Sequence, residues 1–309
     1  MAVLALLVGL LLLIKGGDWL LESAVALSLR LSIPKAVIGM TVVSFATSAP
    51  ELIVSVQSAL EGFSSIALGN VVGSNIANLA LVLAITVIIQ PIEISKVFLR
   101  IDWPMMMVAS ALFLLFLVYD AYLSFWEGAV MFALLISFIL YLLKNQKEGV
   151  DELDEEFEHL SWTKTMGYLV MGGFSLWLGA ETLVKGAVDL AKMMGVNERI
   201  IGISIISIGT SIPELSASII AILRKEKAIS LGNLIGSNIF NILAVMGITA
   251  MVQPFVVMDA DFLTNDLIWM IGISLLLLPL MYIPNDQKFN RLNGVILLSL
   301  YIYFIYSLF

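Results

Sequence analysis

The amino-acid sequence predicts an all-α integral membrane protein in which ten transmembrane helices form two inverted five-helix repeats. Three observations support this prediction. The 309 residues are 60% hydrophobic and only 13% charged, whereas soluble domains are about half apolar and a quarter charged. Ten apolar segments are long enough to cross a bilayer, and a polar motif in the first half of the chain returns in the second.

A helix that crosses a bilayer needs roughly 20 predominantly apolar residues. The segments that meet this requirement are about 2–29, 36–59, 66–89, 98–119, 123–143, 162–191, 198–223, 229–252, 263–283 and 291–308. No basic residue precedes the first segment, so we expect a membrane helix there and not a cleaved signal peptide. The acidic segment 144–161 separates a first repeat, 1–143, from a second, 162–309.

The two halves are related by a constant offset in residue number. Pro213 minus Pro50 is 163, and the same offset joins Gly-Asn-x-x-Gly-Ser-Asn at 69–75 to its copy at 232–238. A gapless offset of this kind indicates an internal repeat. Because each half has an odd number of spans, the second copy must cross the membrane in the opposite sense, as in many secondary transporters.

Orientation follows from the lysines and arginines of the connecting loops, which are enriched on the cytoplasmic side. With the N-terminus outside, the cytoplasmic loops contain twelve of these residues and the outer connections contain only Lys192 and Arg199. We therefore expect a multi-pass protein of the cell inner (plasma) membrane with both termini outside. The acidic loop would be cytoplasmic.

Several chemistries are disfavoured by composition. The chain has no cysteine, and its one histidine, His159, lies in the charged loop. Thiolate catalysis and histidine metal clusters are therefore not expected. The net charge of −8 gives no reason to expect nucleic-acid binding. An intramembrane enzyme would need a nucleophile or ligand set that the apolar segments lack.

Two carboxylates stand out because an acid inside the bilayer is costly and is a functional candidate by default. Glu51 follows Pro50 in the second span, and Glu214 follows Pro213 in the seventh. A proline there removes a backbone donor, so the helix should bend or break beside the acid. Apart from Arg199 at the outer end of the seventh segment, no basic residue lies on the same span as either acid.

Serines and threonines lie three, four and seven residues from these acids, a spacing that places side chains on one helix face, and the third and eighth spans each add a serine and an asparagine four residues apart. The second and seventh spans carry Ser44, Thr47, Ser48 and Ser55, and Ser207, Thr210, Ser211 and Ser218; the third and eighth carry Ser74 and Asn78, and Ser237 and Asn241. Inverted symmetry would bring Glu51 and Glu214 face to face. All these groups present oxygen, which suits hard cations such as Ca²⁺. The alternative reading is that the hydroxyls and glycines serve helix packing.

The segments Ala46-Thr-Ser-Ala-Pro-Glu51 and Gly209-Thr-Ser-Ile-Pro-Glu214, with the two Gly-Asn-x-x-Gly-Ser-Asn segments, resemble the two alpha-repeats of the cation/calcium exchanger superfamily. Within it, the chain is similar to the prokaryotic sodium/calcium exchangers. The resemblance covers essentially the whole chain and implies the ten-helix fold. It also implies a transporter without a cofactor, not an enzyme.

The resemblance further implies roles for individual residues. Glu51 and Glu214 would bind both Na⁺ and Ca²⁺, and the carbonyls of Ser44 and Ser207 would cap sodium sites. The remaining ligands would be Thr47, Thr210, Ser48, Ser211, Ser74, Ser237, Asn78 and Asn241. Some relatives have aspartate where this chain has Asn241, which makes potassium co-transport less expected here.

These residues lead us to expect a sodium/calcium antiporter that expels calcium with the sodium gradient, by alternating access around a midplane site of Glu51 and Glu214. Its partners would be the two ions and the lipid bilayer, with no obligatory protein partner, so the chain could act as a monomer. A proton/calcium exchanger, or a sodium exchanger for another divalent cation, of the same fold remains the alternative.

Overall fold

The computed structural model of the protein describes residues 2–145, 160–194, 209–256, 262–283 and 287–308. Ten helical spans follow one another within these ranges, as predicted, although residues 198–208 of the seventh predicted span lie outside the described residues. They are α1 Ala2–Leu31, α2 Lys35–Leu60, α3 Ser64–Ile89, α4 Phe98–Tyr119, α5 Phe125–Asn145, α6 Trp162–Met193, α7 Ile212–Leu223, α8 Lys227–Val252, α9 Thr264–Leu280 and α10 Arg291–Ser307. In the described part of the chain, α1 to α5 and α8 are each long and apolar enough to cross a membrane.

Several spans contain a stretch of wider π-helical turns, which the sequence did not predict. These stretches are Gly39–Val43 in α2, Asn78–Val82 in α3, Phe98–Asp102 in α4 and Asn241–Met246 in α8, and a fifth, Phe262–Asp266, leads into α9. The stretches in α3 and α8 begin at repeat-related asparagines. Wider turns of this kind often occur at functional sites.

The chain divides into two compact units, and each unit combines residues from both sequence halves. Unit 1 contains Met1–Thr47 and Leu143–Asn233, and unit 2 contains Ser48–Leu142 and Leu234–Phe309. The predicted division at 144–161 concerns the sequence repeats and stays a prediction, because residues 146–159 lie outside the described ranges.

In unit 1, α1 and α6 pack along their length with backbone against backbone. A Cβ added to Gly9 would lie 2.9 Å from the carbonyl oxygen of Gly179, and one added to Gly16 would lie 3.0 Å from that of Gly172. Early residues of α1 thus meet late residues of α6, so the two helices are antiparallel. Since α1 and α6 are repeat counterparts, this packing shows the predicted inversion directly.

The apolar core of unit 1 surrounds this helix pair. It contains buried side chains of α1, α2, α6, α7 and α8, including Leu20, Val25, Ile38, Leu176 and Ala221. One buried salt bridge also joins α2 to the segment before α8, with Lys35 Nζ 2.7 Å from Glu226 Oε1. A second bridge joins Asp18 of α1 to Arg224, directly after α7, with Oδ1 and Nη2 3.0 Å apart.

In unit 2, α3 packs against α10, and α9 packs against both α3 and α4. The indole nitrogen of Trp103 donates to the carbonyl oxygen of Ser274 at 2.8 Å, which ties α4 to α9. Two short antiparallel strand pairs connect the ends of these helices. Strands β1 (Ile92–Glu93) and β2 (Tyr122–Leu123) pair with β4 (Lys288–Phe289) and β3 (Phe255–Val256), respectively.

The repeat continues into α4 and α9 after a one-residue insertion. Met270 minus Met106 and Ser274 minus Ser110 are both 164. The two serine hydroxyls make the same bond, each to the carbonyl oxygen four residues earlier, at 2.9 Å in α4 and 2.8 Å in α9. The structural repeat therefore extends beyond the stretch with the offset of 163.

Candidate functional site

Glu51 and Glu214 are both completely buried. Glu51 lies within α2, one helical turn after Thr47, whereas Glu214 lies in the first turn of α7. The backbone N–H groups and the dipole at a helix N-terminus favour a negative charge there. The two acids thus share burial and repeat position but differ in their place along a helix.

The proline before each acid is accommodated in a different way. The α-helical part of α2 runs from Ser44 to Leu60 with Pro50 inside it. In contrast, α7 begins at Ile212, which puts Pro213 in its first turn. In the second repeat, a helix begins beside the proline, in agreement with the predicted break. In the first repeat, the helix continues through Pro50 and does not break there.

Unit 1 contains a polar cluster centred on Asn233 of α8. Its Nδ2 donates to Ser218 Oγ of α7 at 3.2 Å, and its Oδ1 lies 3.2 Å from the hydroxyl of Thr47. The hydroxyl of Ser44 lies 2.9 Å from the carbonyl oxygen of Asn233 and 2.9 Å from that of Gly39. One asparagine thus ties α2, α7 and α8 together beside the predicted ligands.

Unit 2 repeats part of this cluster around Asn70 of α3, the counterpart of Asn233. Asn70 Nδ2 donates to Ser55 Oγ at 3.0 Å and to the carbonyl oxygen of Glu51 at 3.2 Å. The bond to Ser55 is the repeat copy of the bond between Asn233 and Ser218. In each unit an asparagine therefore braces the helix that carries a proline and a glutamate.

Unit 2 also contains four completely or almost completely buried asparagines from α3 and α8: Asn75, Asn78, Asn238 and Asn241. Asn78 Nδ2 donates to Asn238 Oδ1 at 3.3 Å, and Asn241 Nδ2 donates to Asn75 Oδ1 at 3.1 Å. The two bonds exchange under the repeat offset of 163, so α3 and α8 are antiparallel counterparts, as α1 and α6 are.

The other predicted ligands are placed as follows. Ser48, Ser74, Ser211 and Ser237 are buried, and Thr210 is half-buried. The carbonyl oxygen of Ser44 lies 3.3 Å from the hydroxyl of Thr47. Ser207 lies outside the described residues.

Four asparagines that make bonds in these clusters were not among the sequence-predicted site residues: Asn70, Asn75, Asn233 and Asn238. All four belong to the repeated Gly-Asn-x-x-Gly-Ser-Asn motif. A buried amide needs hydrogen-bond partners, so the recurrence of these residues at the repeat offset was the available signal.

No group of three or more His, Asp or Glu side chains that could hold a metal ion occurs in the described ranges. The buried serines, threonines and asparagines described above offer hydroxyl and amide oxygens. Calcium accepts such mixed oxygen sets, with six to eight ligands in flexible geometry.

Sequence comparison identifies the family. The description of the family that matches residues 1–144 and 164–309 is "Sodium/calcium exchanger protein". A relative named CaxA from Alkalimonas amylolytica is 37% identical over 316 residues, which cover 100% of this chain and 98% of the relative. The sodium/calcium exchanger MaX1 of Methanosarcina acetivorans is 29% identical over 350 residues, covering 99% of this chain and 98% of that protein.

Solved structures of the sodium-calcium exchanger NCX_Mj share the fold. The form soaked with zero Na⁺ and Ca²⁺ has a TM-score of 0.84 and 28% sequence identity, and the match covers 100% of this chain and 99% of that one. A structure soaked with 2.5 mM Na⁺ and 10 mM Sr²⁺ has a TM-score of 0.83. The fold, the repeated motifs and the match across both halves agree: the chain belongs to the sodium/calcium exchanger family, a family of membrane transporters.

Proposed function

We propose that this protein is a secondary active sodium/calcium antiporter that expels calcium with the energy of the sodium gradient. It would work by alternating access, as a monomer in the cell inner membrane with both termini outside. The observation that carries the proposal is one completely buried carboxylate per repeat, Glu51 and Glu214, on helices lined with oxygen-bearing side chains.

Glu51 and Glu214 are the charged ligands in this proposal. A buried carboxylate is stable only when it is neutralised or hydrogen-bonded, and a transported cation can neutralise it. Two carboxylates balance the charge of one Ca²⁺ or of two Na⁺. Both ions can therefore compete for the same ligands, which is the physical basis of exchange.

The neutral ligands are those that the family resemblance implies, and the burial of most of their side chains supports them. We assign side-chain oxygens of Thr47, Thr210, Ser48, Ser211, Ser74, Ser237, Asn78 and Asn241 to the ions. We also assign backbone carbonyl oxygens of Ser44 and Ser207. The hydroxyl of Ser44 is turned towards the carbonyl oxygens of Gly39 and Asn233, and the atom of Ser44 assigned to an ion is its carbonyl oxygen.

Two relatives support the choice of ions. MaX1 is named a sodium/calcium exchanger, and NCX_Mj is described as a sodium-calcium exchanger that undergoes extracellular ion exchange and binding-site occlusion. The alternative is an antiporter of the same fold that couples calcium to protons, or sodium to another divalent cation.

Transport by the purified protein in proteoliposomes tests the proposal. Vesicles loaded with Na⁺ and diluted into Na⁺-free buffer should accumulate ⁴⁵Ca²⁺, whereas vesicles with only a pH gradient should not. Uptake driven by the pH gradient alone would favour the proton-coupled alternative. Failure of a Na⁺ gradient to drive ⁴⁵Ca²⁺ uptake would refute sodium/calcium exchange.

A further inference from the structure

The asparagine pairs of α3 and α8 use their amide nitrogens and their amide oxygens differently. In the described structure, Oδ1 of Asn78 and Oδ1 of Asn241 are buried and accept no hydrogen bond. Their amide nitrogens, in contrast, are bonded to Asn238 and Asn75. A buried acceptor without a donor costs about 1–3 kcal/mol. Both amides thus have a used nitrogen and an unused oxygen.

The orientation of the Asn241 amide is fixed by a chain of hydrogen bonds. Asn75 Nδ2 donates to the backbone carbonyl oxygen of Asn238 at 3.2 Å. A carbonyl oxygen can only accept, so the amide of Asn75 must place its nitrogen there and its oxygen on the other side. That oxygen accepts from Asn241 Nδ2, which leaves Asn241 Oδ1 available.

The Asn78 amide is held by the corresponding bond to Asn238, but the amide of Asn238 is itself held by a weaker acceptor. Asn238 Nδ2 lies 3.8 Å from the sulfur of Met106, and a thioether is only a weak acceptor. Asn75 Nδ2 has a similar contact to Met270 at 3.7 Å, but it has the backbone carbonyl as well. The orientation of Asn241 is therefore fixed more firmly than that of Asn78.

We propose that Asn75 and Asn238 are positioning residues, which hold the amides of Asn241 and Asn78 so that their Oδ1 atoms face the transported cation or its bound water. The inference rests on the proposed function, because it assigns a task to residues next to two of the proposed ligands. Each oxygen gains a partner when a cation is bound, and each nitrogen, which would repel the cation, is directed away from it.

An aspartate at position 241 would not fit this arrangement. Its carboxylate has no N–H to donate, so two acceptor oxygens would face each other at Asn75 Oδ1. The amide of Asn241 is thus matched to Asn75 in this chain. The change Asn241→Asp should therefore lower the stability of the folded protein more in the wild-type background than in an Asn75→Ala background, where the facing acceptor is absent.

The experiment compares Asn75→Ala and Asn238→Ala with Asn293→Ala. Asn293 is also completely buried, donates to the carbonyl oxygen of Ile283 at 3.1 Å, and accepts from the backbone N–H of Asn290 at 2.8 Å. It lies in the cap of α10 and makes no bond to the four asparagines. Its replacement removes a buried, bonded amide without touching the proposed positioning pair.

Two quantities are measured for each purified variant. The first is the increase in melting temperature in detergent when Na⁺ or Ca²⁺ is added, and the second is the KM for ⁴⁵Ca²⁺ in proteoliposomes. All three variants should melt at a lower temperature without ions. Only Asn75→Ala and Asn238→Ala should also lose most of the ion-dependent increase and show KM raised by about tenfold, which corresponds to one lost neutral contact to a charged group. Asn75→Ala should have the larger effect.

The outcomes separate this inference from the proposed function. If Asn75→Ala and Asn238→Ala keep the ion-dependent increase as fully as Asn293→Ala does, the positioning role is wrong, whatever the wild type transports. The role is equally wrong if neither ion stabilises the wild-type protein. The third outcome combines two results: the wild type shows no sodium-driven uptake, and the ion-dependent stabilisation of the wild type is lost in the Asn75→Ala variant. In that case the positioning role stands and the proposed coupling is wrong.

Discussion

The two proline–glutamate segments have the same sequence pattern but different backbones. Pro213 lies in the first turn of α7, where no N–H is needed and proline is well tolerated. Pro50 lies inside a continuous helix, where it cannot bond to the carbonyl oxygen of Ala46, four residues earlier. The two copies of the motif thus have the same acid and the same proline, but the proline destabilises the helix in one copy and not in the other.

The largest expected effect tests whether the two acids remain equivalent despite this difference. Glu51→Gln and Glu214→Gln should each lower sodium-driven ⁴⁵Ca²⁺ uptake by at least about 100-fold. Each change removes a carboxylate opposite a buried cation, and loss of one partner of a buried pair of opposite charges costs about 3 kcal/mol or more. Uptake is measured in proteoliposomes at equal protein content.

Glu61→Gln is the control for these variants, because Glu61 is exposed near the end of α2 and bonded only to Gln57 in the described contacts. It should transport as the wild type does. Full activity in one of the two buried variants would show that a single repeat supplies the charge.

The second expected effect concerns the prolines themselves. Pro50→Ala should raise the melting temperature in detergent, because the new N–H can bond to the carbonyl oxygen of Ala46; a proline inside a helix costs about 3 kcal/mol. Pro213→Ala should change it little. If the carbonyl of Ala46 serves the ions, Pro50→Ala should also raise the KM for calcium. A melting temperature that rises no more in Pro50→Ala than in Pro213→Ala would contradict the cost assigned to the proline inside α2.

The smallest expected effect concerns the helix pair that shows the inversion. A methyl group at Gly16 or at its repeat counterpart Gly179 would meet backbone atoms of the other helix at 2.8 Å and 3.0 Å. Gly16→Ala and Gly179→Ala should each lower stability by about 1–3 kcal/mol, the usual cost of overpacking. Thermal unfolding in detergent measures the loss.

Gly167→Ala is the matched control, since a Cβ there meets no atom within 4 Å in the described structure. It should leave the melting temperature unchanged or raise it, because alanine is the better helix former. A loss as large as that of Gly16→Ala would mean that contact with the surrounding lipid or detergent, and not close packing of the two helices, governs these positions.

Much of the fold could be predicted from hydropathy and from the repeat. The predicted span 98–119 matches α4 as Phe98–Tyr119, and the predicted 162–191 ends two residues before α6 does, at Met193. The odd number of spans in each repeat also predicted the inversion, which the crossed contacts of Gly9 and Gly16 confirm. Apolar length and register are local properties of the chain, so they can be read without coordinates.

Other features could not be predicted because they depend on contacts between distant residues. A two-residue strand such as Ile92–Glu93 is too short for any periodicity, and its partner lies almost 200 residues later. Asn75 and Asn238 were visible in the motif, but their bonds depend on how α3 and α8 cross. The roles of Glu51 and Glu214 as ion ligands stay predictions, for transport measurements to test.

The crossed glycine contacts of α1 and α6 have a consequence for the origin of such a chain. Gly9 contacts Gly179, and Gly16 contacts Gly172. Gly172 is the repeat counterpart of Gly9 and Gly179 that of Gly16, so the repeat offset converts each contact into the other. This is the isologous geometry of a two-fold dimer. A single five-helix half, inserted into a membrane in both orientations, would carry both sides of this contact and could pair with itself before any duplication joined the halves.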